Sequence, residues 1–256
     1  IHPERFEMAD QKTVIVTAAS RGIGAACART LAAKGWRLVL MSTSSGCETL
    51  AEELGGFARR GSVTETVDLA ALVDLAMEKT GRIDAIVANT CHGPGLTAAK
   101  GGPAYGPDSA GQLLDIEDAD WYAALDMYFM NVLRLARLVT PIMMRQGGGA
   151  IVAISSKIAV EPKPSYPTSV LRLGLHAFAK LYADRYGRAG IRFNCLLPGL
   201  VENWPASPEA LQQLPLGRAV KLNEIGEAAA FLVSEAAGGI TGQSILVDGG
   251  SARGVR

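Results

Sequence analysis

Thr13-Val14-Ile15-Val16-Thr17-Ala18-Ala19-Ser20-Arg21-Gly22-Ile23-Gly24 is the stretch whose reading decides the fold. Its opening run, Val14-Ile15-Val16, is β-branched and apolar on consecutive residues, as a strand covered on both faces requires. The chain then turns through Gly22 and Gly24. Beyond the turn, Ala25-Ala26-Cys27-Ala28-Arg29-Thr30-Leu31-Ala32 is rich in helix formers with one apolar side. Strand, glycine turn and helix make half of a βαβ unit. The first N–H groups of such a helix lack backbone partners and carry the positive end of its dipole, so an anionic diphosphate suits them.

Working outward, apolar strand-like runs alternate with helical segments along the chain, the pattern of a parallel sheet with crossover helices. Strands are expected near 13–17, 37–41, 56–58, 84–88, 150–154, 191–196 and 244–247. Helices are expected near 22–34, 47–54, 65–80, 118–145, 167–188, 207–213 and 223–234. The expected fold is therefore α/β, a Rossmann-type doubly wound parallel sheet of about seven strands with helices on both faces. One domain over 8–256 accounts for all of it. Ile1 to Glu7, ahead of Met8, reads as a remnant of an expression vector and is left out of the fold.

Two segments break the alternation. Between His92 and Glu117 lie six glycines and three prolines, an inserted loop (92–117) too long for an ordinary connection. From Leu200 to Gly217, Trp204, Pro205, Pro208 and Pro215 interrupt a short helical stretch. Both follow strand ends, where ligands bind in open α/β sheets, and 200–217 is read as the substrate loop.

Composition narrows the function classes. Lys+Arg 25 balance Asp+Glu 25, giving a net charge of zero that favours neither nucleic acid nor an anionic membrane surface. With 48% hydrophobic and 6% aromatic residues, the core is aliphatic. The cysteines Cys27, Cys47, Cys91 and Cys195 and the histidines His2, His92 and His176 are scattered without ligand spacing, so neither a disulfide framework nor a metal site is expected. No apolar run is long enough to span a bilayer, and the expected setting is the cytoplasm.

Five motifs in order carry a family resemblance: Thr17 to Gly24, Ile83 to Asn89, Ile151 to Ser156, Ile191 to Asn194 leading to Pro198-Gly199, and Ile240 to Gln243 leading to Val247-Asp248-Gly249-Gly250. With these motifs the chain resembles the short-chain dehydrogenase/reductase family from about Lys12 to Gly250. The resemblance implies an enzyme that moves hydride between a nicotinamide dinucleotide and a small carbonyl or alcohol. It implies cofactor contacts from Thr17, Ser20, Arg21, Gly22, Ile23, Gly24, Ser62, Val63, Asn89, Pro198 and Gly199, and a homodimer or homotetramer. Broad apolar surfaces on 118–145 and 167–188 suit such an assembly. In one respect the turn departs from the family: Ala18 stands where its first glycine would be.

Cofactor choice has a physical argument. A carboxylate at the end of the second strand would hold the ribose 2′-hydroxyl of NAD and repel the 2′-phosphate of NADP. Here the chain reads Met41-Ser42-Thr43-Ser44-Ser45. With Ser42 and Thr43 as hydroxyl donors and Arg21 as a cation, NADP(H) is preferred and NAD(H) remains possible.

The catalytic positions are altered. Ser156 fits the family's serine, but counting back from Pro198-Gly199 puts Thr168 at the tyrosine position and Arg172 at the lysine position. Tyr128 falls at the asparagine position, with Asn131 one turn on. An aliphatic hydroxyl is far less acidic than a phenol with a pKa of about 10, so Thr168 cannot supply the proton. Tyr166 is the nearest phenol, on the lead-in to a helix expected to start at Pro167. Ser156 as oxygen donor, Tyr166 as general acid and Arg172 as cation and ribose ligand make one set. In the other reading Tyr166 packs idly among Pro162, Pro164 and Pro167, and the chain is a nucleotide-binding sensor or scaffold. Tyr128 either fills the core or turns its hydroxyl to the substrate. Cys91 and His92 are expected to be a packed side chain and a solvent-facing loop residue.

Overall fold

A computed structural model describes residues 11–90, 113–163 and 166–254. Seven strands form one parallel sheet in the order β3-β2-β1-β4-β5-β6-β7: β1 Thr13–Thr17, β2 Arg37–Ser42, β3 Phe57–Arg60, β4 Ala85–Ala88, β5 Gly149–Ile154, β6 Ile191–Pro198 and β7 Ser244–Val247. The expected Rossmann-type sheet is what the chain builds. Strand order reverses between β1 and β4, whose register pairs Val14 with Ala85, Ile15 with Ile86 and Val16 with Val87. That reversal opens the crevice in which doubly wound folds bind ligands.

The β-branched runs noted in the sequence sit here because both faces of the sheet are covered. Ile15 points with Val39, Ile86 and Ile151 into one core, completed by the helices α3 (Thr66–Thr80), α5 (Asn131–Gln146) and α6 (Leu173–Tyr186). Val14 and Val16 point into the other, closed by α1 (Gly22–Ala33), α2 (Gly46–Glu53) and α8 (Leu222–Val233). Alternate residues of one strand thus feed opposite cores, and a polar residue on either face would lose its water. Cys27 and Cys195 lie in these cores, where burial pushes both thiols up to about 12.

Two expected helices are interrupted, both beside the site. The helix expected over 118–145 runs as α4 (Asp118–Leu125), a π-helical turn at Asp126–Met130, then α5. A π turn widens the ring and frees a carbonyl; Asn131 donates its side-chain amide to Met127 O and satisfies it. The helix expected to begin at Pro167 opens with six residues of 3₁₀ helix, Pro167–Arg172, before α6 takes over. Proline at its first position supplies the start, with Tyr166 outside at φ −139° and ψ 58°. The helix expected near 207–213 is the short α7 (Pro208–Gln212).

Cys91 and His92, most of the inserted loop, and Ile1 to Glu7 lie outside the described residues. Of that loop, Leu113–Asp115 form a 3₁₀ turn. Among the described residues no helix is long and apolar enough to cross a membrane, and no group of three or more His, Cys, Asp or Glu could hold a metal ion.

Candidate functional site

At the carboxyl end of β1 the chain turns through Ala18 to Arg21 and enters α1. Ala18 has φ 48°, the one non-glycine with a left-handed backbone among the described residues. An alanine held there stores about 1–2 kcal/mol of steric strain. Gly22, at φ 57°, is tolerated freely. Gly24 is needed for space, since a Cβ there would lie 2.3 Å from Ala18 O. Arg21 is the N-cap residue in an extended conformation; no side chain caps α1 and its first turn carries no carboxylate. Open N–H donors, a positive dipole end and an exposed arginine suit the diphosphate of a dinucleotide.

Thr17 and Asn89 secure this turn from below. Thr17 Oγ1 donates to Asn89 O at 2.6 Å and accepts Asn89 N–H at 2.9 Å, and Asn89 Nδ2 reaches Ala18 O at 3.4 Å. These bonds staple the ends of β1 and β4 where the strand order reverses. Thr17 is 1% exposed, so its hydroxyl supports the turn and offers a ligand no free face.

Ser42 closes β2 with its side chain turned inward. It is buried and donates its hydroxyl to Ser44 O at 2.8 Å, whereas Thr43 beside it is exposed. A cation missed in the sequence stands beside it: Arg60, last residue of β3, is in register with Ser42, exposed, and 3.5 Å from Glu48. Parallel alignment of β2 and β3 was the signal, because it brings both strand ends to one edge. Nearby, Ser62 and Thr64 share a hydroxyl contact of 2.7 Å, Ser62 N–H donates to Asp68 at 2.8 Å, and Val63 packs on the core.

On the other side of the crevice, Pro198 ends β6 and Gly199 lies against β7. Gly199 N–H donates to Val247 O at 3.0 Å, and a Cβ on Gly199 would lie 2.7 Å from Asp248 Cα. Asp248 accepts from Gly250 N, Ser251 Oγ and Ala252 N at 3.0, 3.1 and 2.6 Å, folding the tail back. The tail then meets the loop after β5, with Lys157 Nζ 3.0 Å from Ser251 Oγ and Glu161 accepting Arg253 N–H at 2.5 Å.

Ser156 follows β5 directly. Its Oγ accepts Ile158 N–H at 3.2 Å, capping the 3₁₀ turn Lys157–Ala159. Because the oxygen accepts in that bond, the hydroxyl hydrogen stays available to donate. Its neighbour Ser155 is buried, with Oγ 2.8 Å from His176 Nε2. Sequence reading passed over His176, although it lies one helical turn beyond Arg172, on the same face.

Arg172 is 3% exposed. Its guanidinium lies 4.1 Å above the Tyr128 ring and donates to Ile154 O at 3.2 Å. Tyr128, carried inward by the π turn, is fully buried, so of its two expected settings the core is the one observed. A planar cation on an aromatic face is stabilised by the ring quadrupole, most strongly where water is excluded. Thr168 is buried in the 3₁₀ segment. Tyr166 is half-buried, and its ring meets Trp204 of the substrate loop edge-on, centroids 6.5 Å apart.

Sheet order, crevice and glycine turn define a doubly wound Rossmann-type protein. The chain belongs to the short-chain dehydrogenase/reductase family of oxidoreductases. A family profile described as enoyl-(acyl carrier protein) reductase matches residues 17–252. Among relatives, oxidoreductase UcpA of Escherichia coli K12 is 31% identical, over 94% of either chain. D-threitol dehydrogenase of Mycolicibacterium smegmatis is 31% identical, covering 94% of this chain and 93% of its own. The fold is shared with YwfH, an NADPH-dependent reductase of bacilysin biosynthesis, at a TM-score of 0.84 and 23% identity, over 96% of this chain and 100% of that one.

Proposed function

We propose that the protein is an NADP-dependent oxidoreductase for a small carbonyl or alcohol, with Tyr166 in place of the family's displaced tyrosine. The observation that carries this reading is the free hydroxyl hydrogen of Ser156, at the crevice shared with the open glycine turn. Arg21, Gly22, Ile23 and Gly24 would hold the diphosphate, with Ser20, Ser62, Val63, Asn89, Pro198 and Gly199 around the rest of the dinucleotide. Arg21, Thr43 and Arg60 favour a 2′-phosphate, since β2 itself ends without a carboxylate and Arg60 would exchange its surface contact with Glu48 for the phosphate. When bound, the nicotinamide supplies or accepts the hydride.

Ser156 donates its hydrogen to the substrate oxygen and polarises the carbonyl. Tyr166 gives up its phenolic proton to that oxygen in reduction and regains it in oxidation. Arg172 keeps a permanent positive charge beneath this end of the site, but a guanidinium does not deprotonate and so takes no part in a proton relay. Its burial on Tyr128 leaves it holding the 3₁₀ segment against β5 more than reaching for a ribose.

Exposed Tyr122, Met144, Leu173 and Leu181 on α4, α5 and α6 support self-association as a homodimer or homotetramer; sedimentation giving a monomer would contradict it. A second reading has its own observation: buried Tyr128 and Thr168 occupy two catalytic positions of the family, as a nucleotide-binding protein without redox chemistry would tolerate. The test is a panel of aldehydes, ketones and alcohols with NADPH or NADP. Turnover with NADPH tighter than NADH supports the enzyme, and NADPH binding without turnover supports the second reading.

A further inference from the structure

The loops after β5 and β6 end in aromatic side chains that meet across the carboxyl edge of the sheet. Trp204 closes a turn with its N–H on Val201 O at 2.9 Å, in a segment tied to the body by Glu202 N–H on Val220 O at 2.9 Å. Asn203 of the same turn lies beside Gly22, its Nδ2 3.1 Å from where a Cβ would be. The turn therefore sits over the glycine loop, and from there Trp204 reaches Tyr166 edge-on. Trp204 is 48% exposed, and Leu216 in the same loop 59%. Exposed apolar side chains on a strand-end loop stand where a ligand bound at the carboxyl edge of the sheet would meet them.

Charged groups on these segments are largely turned to internal partners. Lys157 contacts Ser251 and Glu161, Glu161 accepts two N–H groups from the tail, and Glu202 accepts Leu222 N–H at 2.8 Å. Lys163 is exposed, three residues before Tyr166. Fixed aromatic rings with few uncommitted charges select shape and π character.

We propose that Tyr166 and Trp204 form an aromatic clamp that makes the site selective for an uncharged substrate bearing a ring next to its carbonyl or carbinol carbon. The proposal rests on the oxidoreductase reading for the identity of the reacting group, while the ring preference is a property of binding. Trp204 supplies a ring face from the β6 side, and Tyr166 supplies both a ring edge and the hydroxyl.

Calorimetry on the NADPH-saturated protein, which cannot oxidise an alcohol, tests it with 1-phenylethanol, octan-2-ol of equal carbon number, and mandelate as the anionic analogue. Trp204→Ala is expected to lower the affinity for 1-phenylethanol relative to octan-2-ol by about fivefold, the size of one aromatic contact. Trp204→Phe is expected to keep most of the wild-type ratio, and mandelate to bind more weakly than 1-phenylethanol. Tyr166→Phe retains its ring and so the ratio, whatever happens to turnover. A ratio unmoved by Trp204→Ala, mandelate binding more tightly, or no binding of 1-phenylethanol overturns the clamp. Ring preference without oxidation of any alcohol would leave the clamp standing and remove the oxidoreductase reading.

Discussion

The crevice has two walls built on different terms. On the β1 side the chain keeps what a dinucleotide turn needs, an uncapped α1 with glycine at positions 22 and 24, and changes one residue at the cost of strain at Ala18. On the β5 side the chemistry we propose depends on the side chains of Ser156 and Tyr166, and Arg172 is committed to a structural contact on Tyr128. The contrast has a physical root. A diphosphate is held by backbone N–H groups, whose geometry survives most substitutions, whereas proton transfer depends on side chains of particular acidity. One wall can therefore drift while the other holds.

The comparison can be broken most sharply at Ser156. Ser156→Ala should slow hydride transfer about a hundredfold or more while NADPH affinity, read by titration, stays put; an unaffected rate would mean that the β5 wall has no part in chemistry. Next in size, Arg172→Lys keeps the charge but loses the planar stack and the fork that reaches Ile154 O. Urea denaturation should show a loss of about 1–2 kcal/mol, and a variant as stable as the parent would show that the Tyr128 contact holds nothing.

Ala18→Gly sharpens the other wall. Glycine relieves the left-handed strain but adds freedom to the unfolded chain, leaving a gain of about 0.5–1 kcal/mol in unfolding free energy. Tighter NADPH binding should accompany it, and a destabilised variant would show that the methyl packs usefully. The smallest effect concerns the tail. Backbone donation from Arg253 first, then from Gly254, and the charge of Lys157 hold the Glu161 carboxyl below its ordinary 4.5. A lowered folded-state pKa means that this tether is complete above about pH 4.5 and is lost as pH falls through the lower folded value. Amide exchange at Arg253 should quicken across that acid range in the parent and be pH-independent beyond the intrinsic rate in Glu161→Gln.

The fold was largely legible because buried parallel strands leave unmistakable runs such as Val14-Ile15-Val16 and Ile151-Val152-Ala153-Ile154, each bounded by turns. Element ends shifted by a residue or two, as at β3, expected over 56–58 and found at Phe57–Arg60. The site was legible only where backbone made it. Nothing in the order of residues shows that Ser42 folds its hydroxyl back onto Ser44, that a π turn swings Tyr128 under Arg172, or that Trp204 meets Tyr166. The first is a side-chain turn over two residues, the second is set by a local helical defect and the third joins segments far apart in the chain, and periodicity carries no signal for any of them. Arg60 and His176 were readable in principle, one from strand alignment and the other from helical spacing.

The central claim is that the proton donor moved to Tyr166 while the dinucleotide wall stayed in place. Single-turnover NADPH oxidation by Tyr166→Phe, run beside the parent on a carbonyl it reduces and paired with an NADPH binding titration, tests this directly. The account predicts unchanged NADPH affinity with hydride transfer slowed about a hundredfold or more. Full-rate turnover by the variant would contradict it.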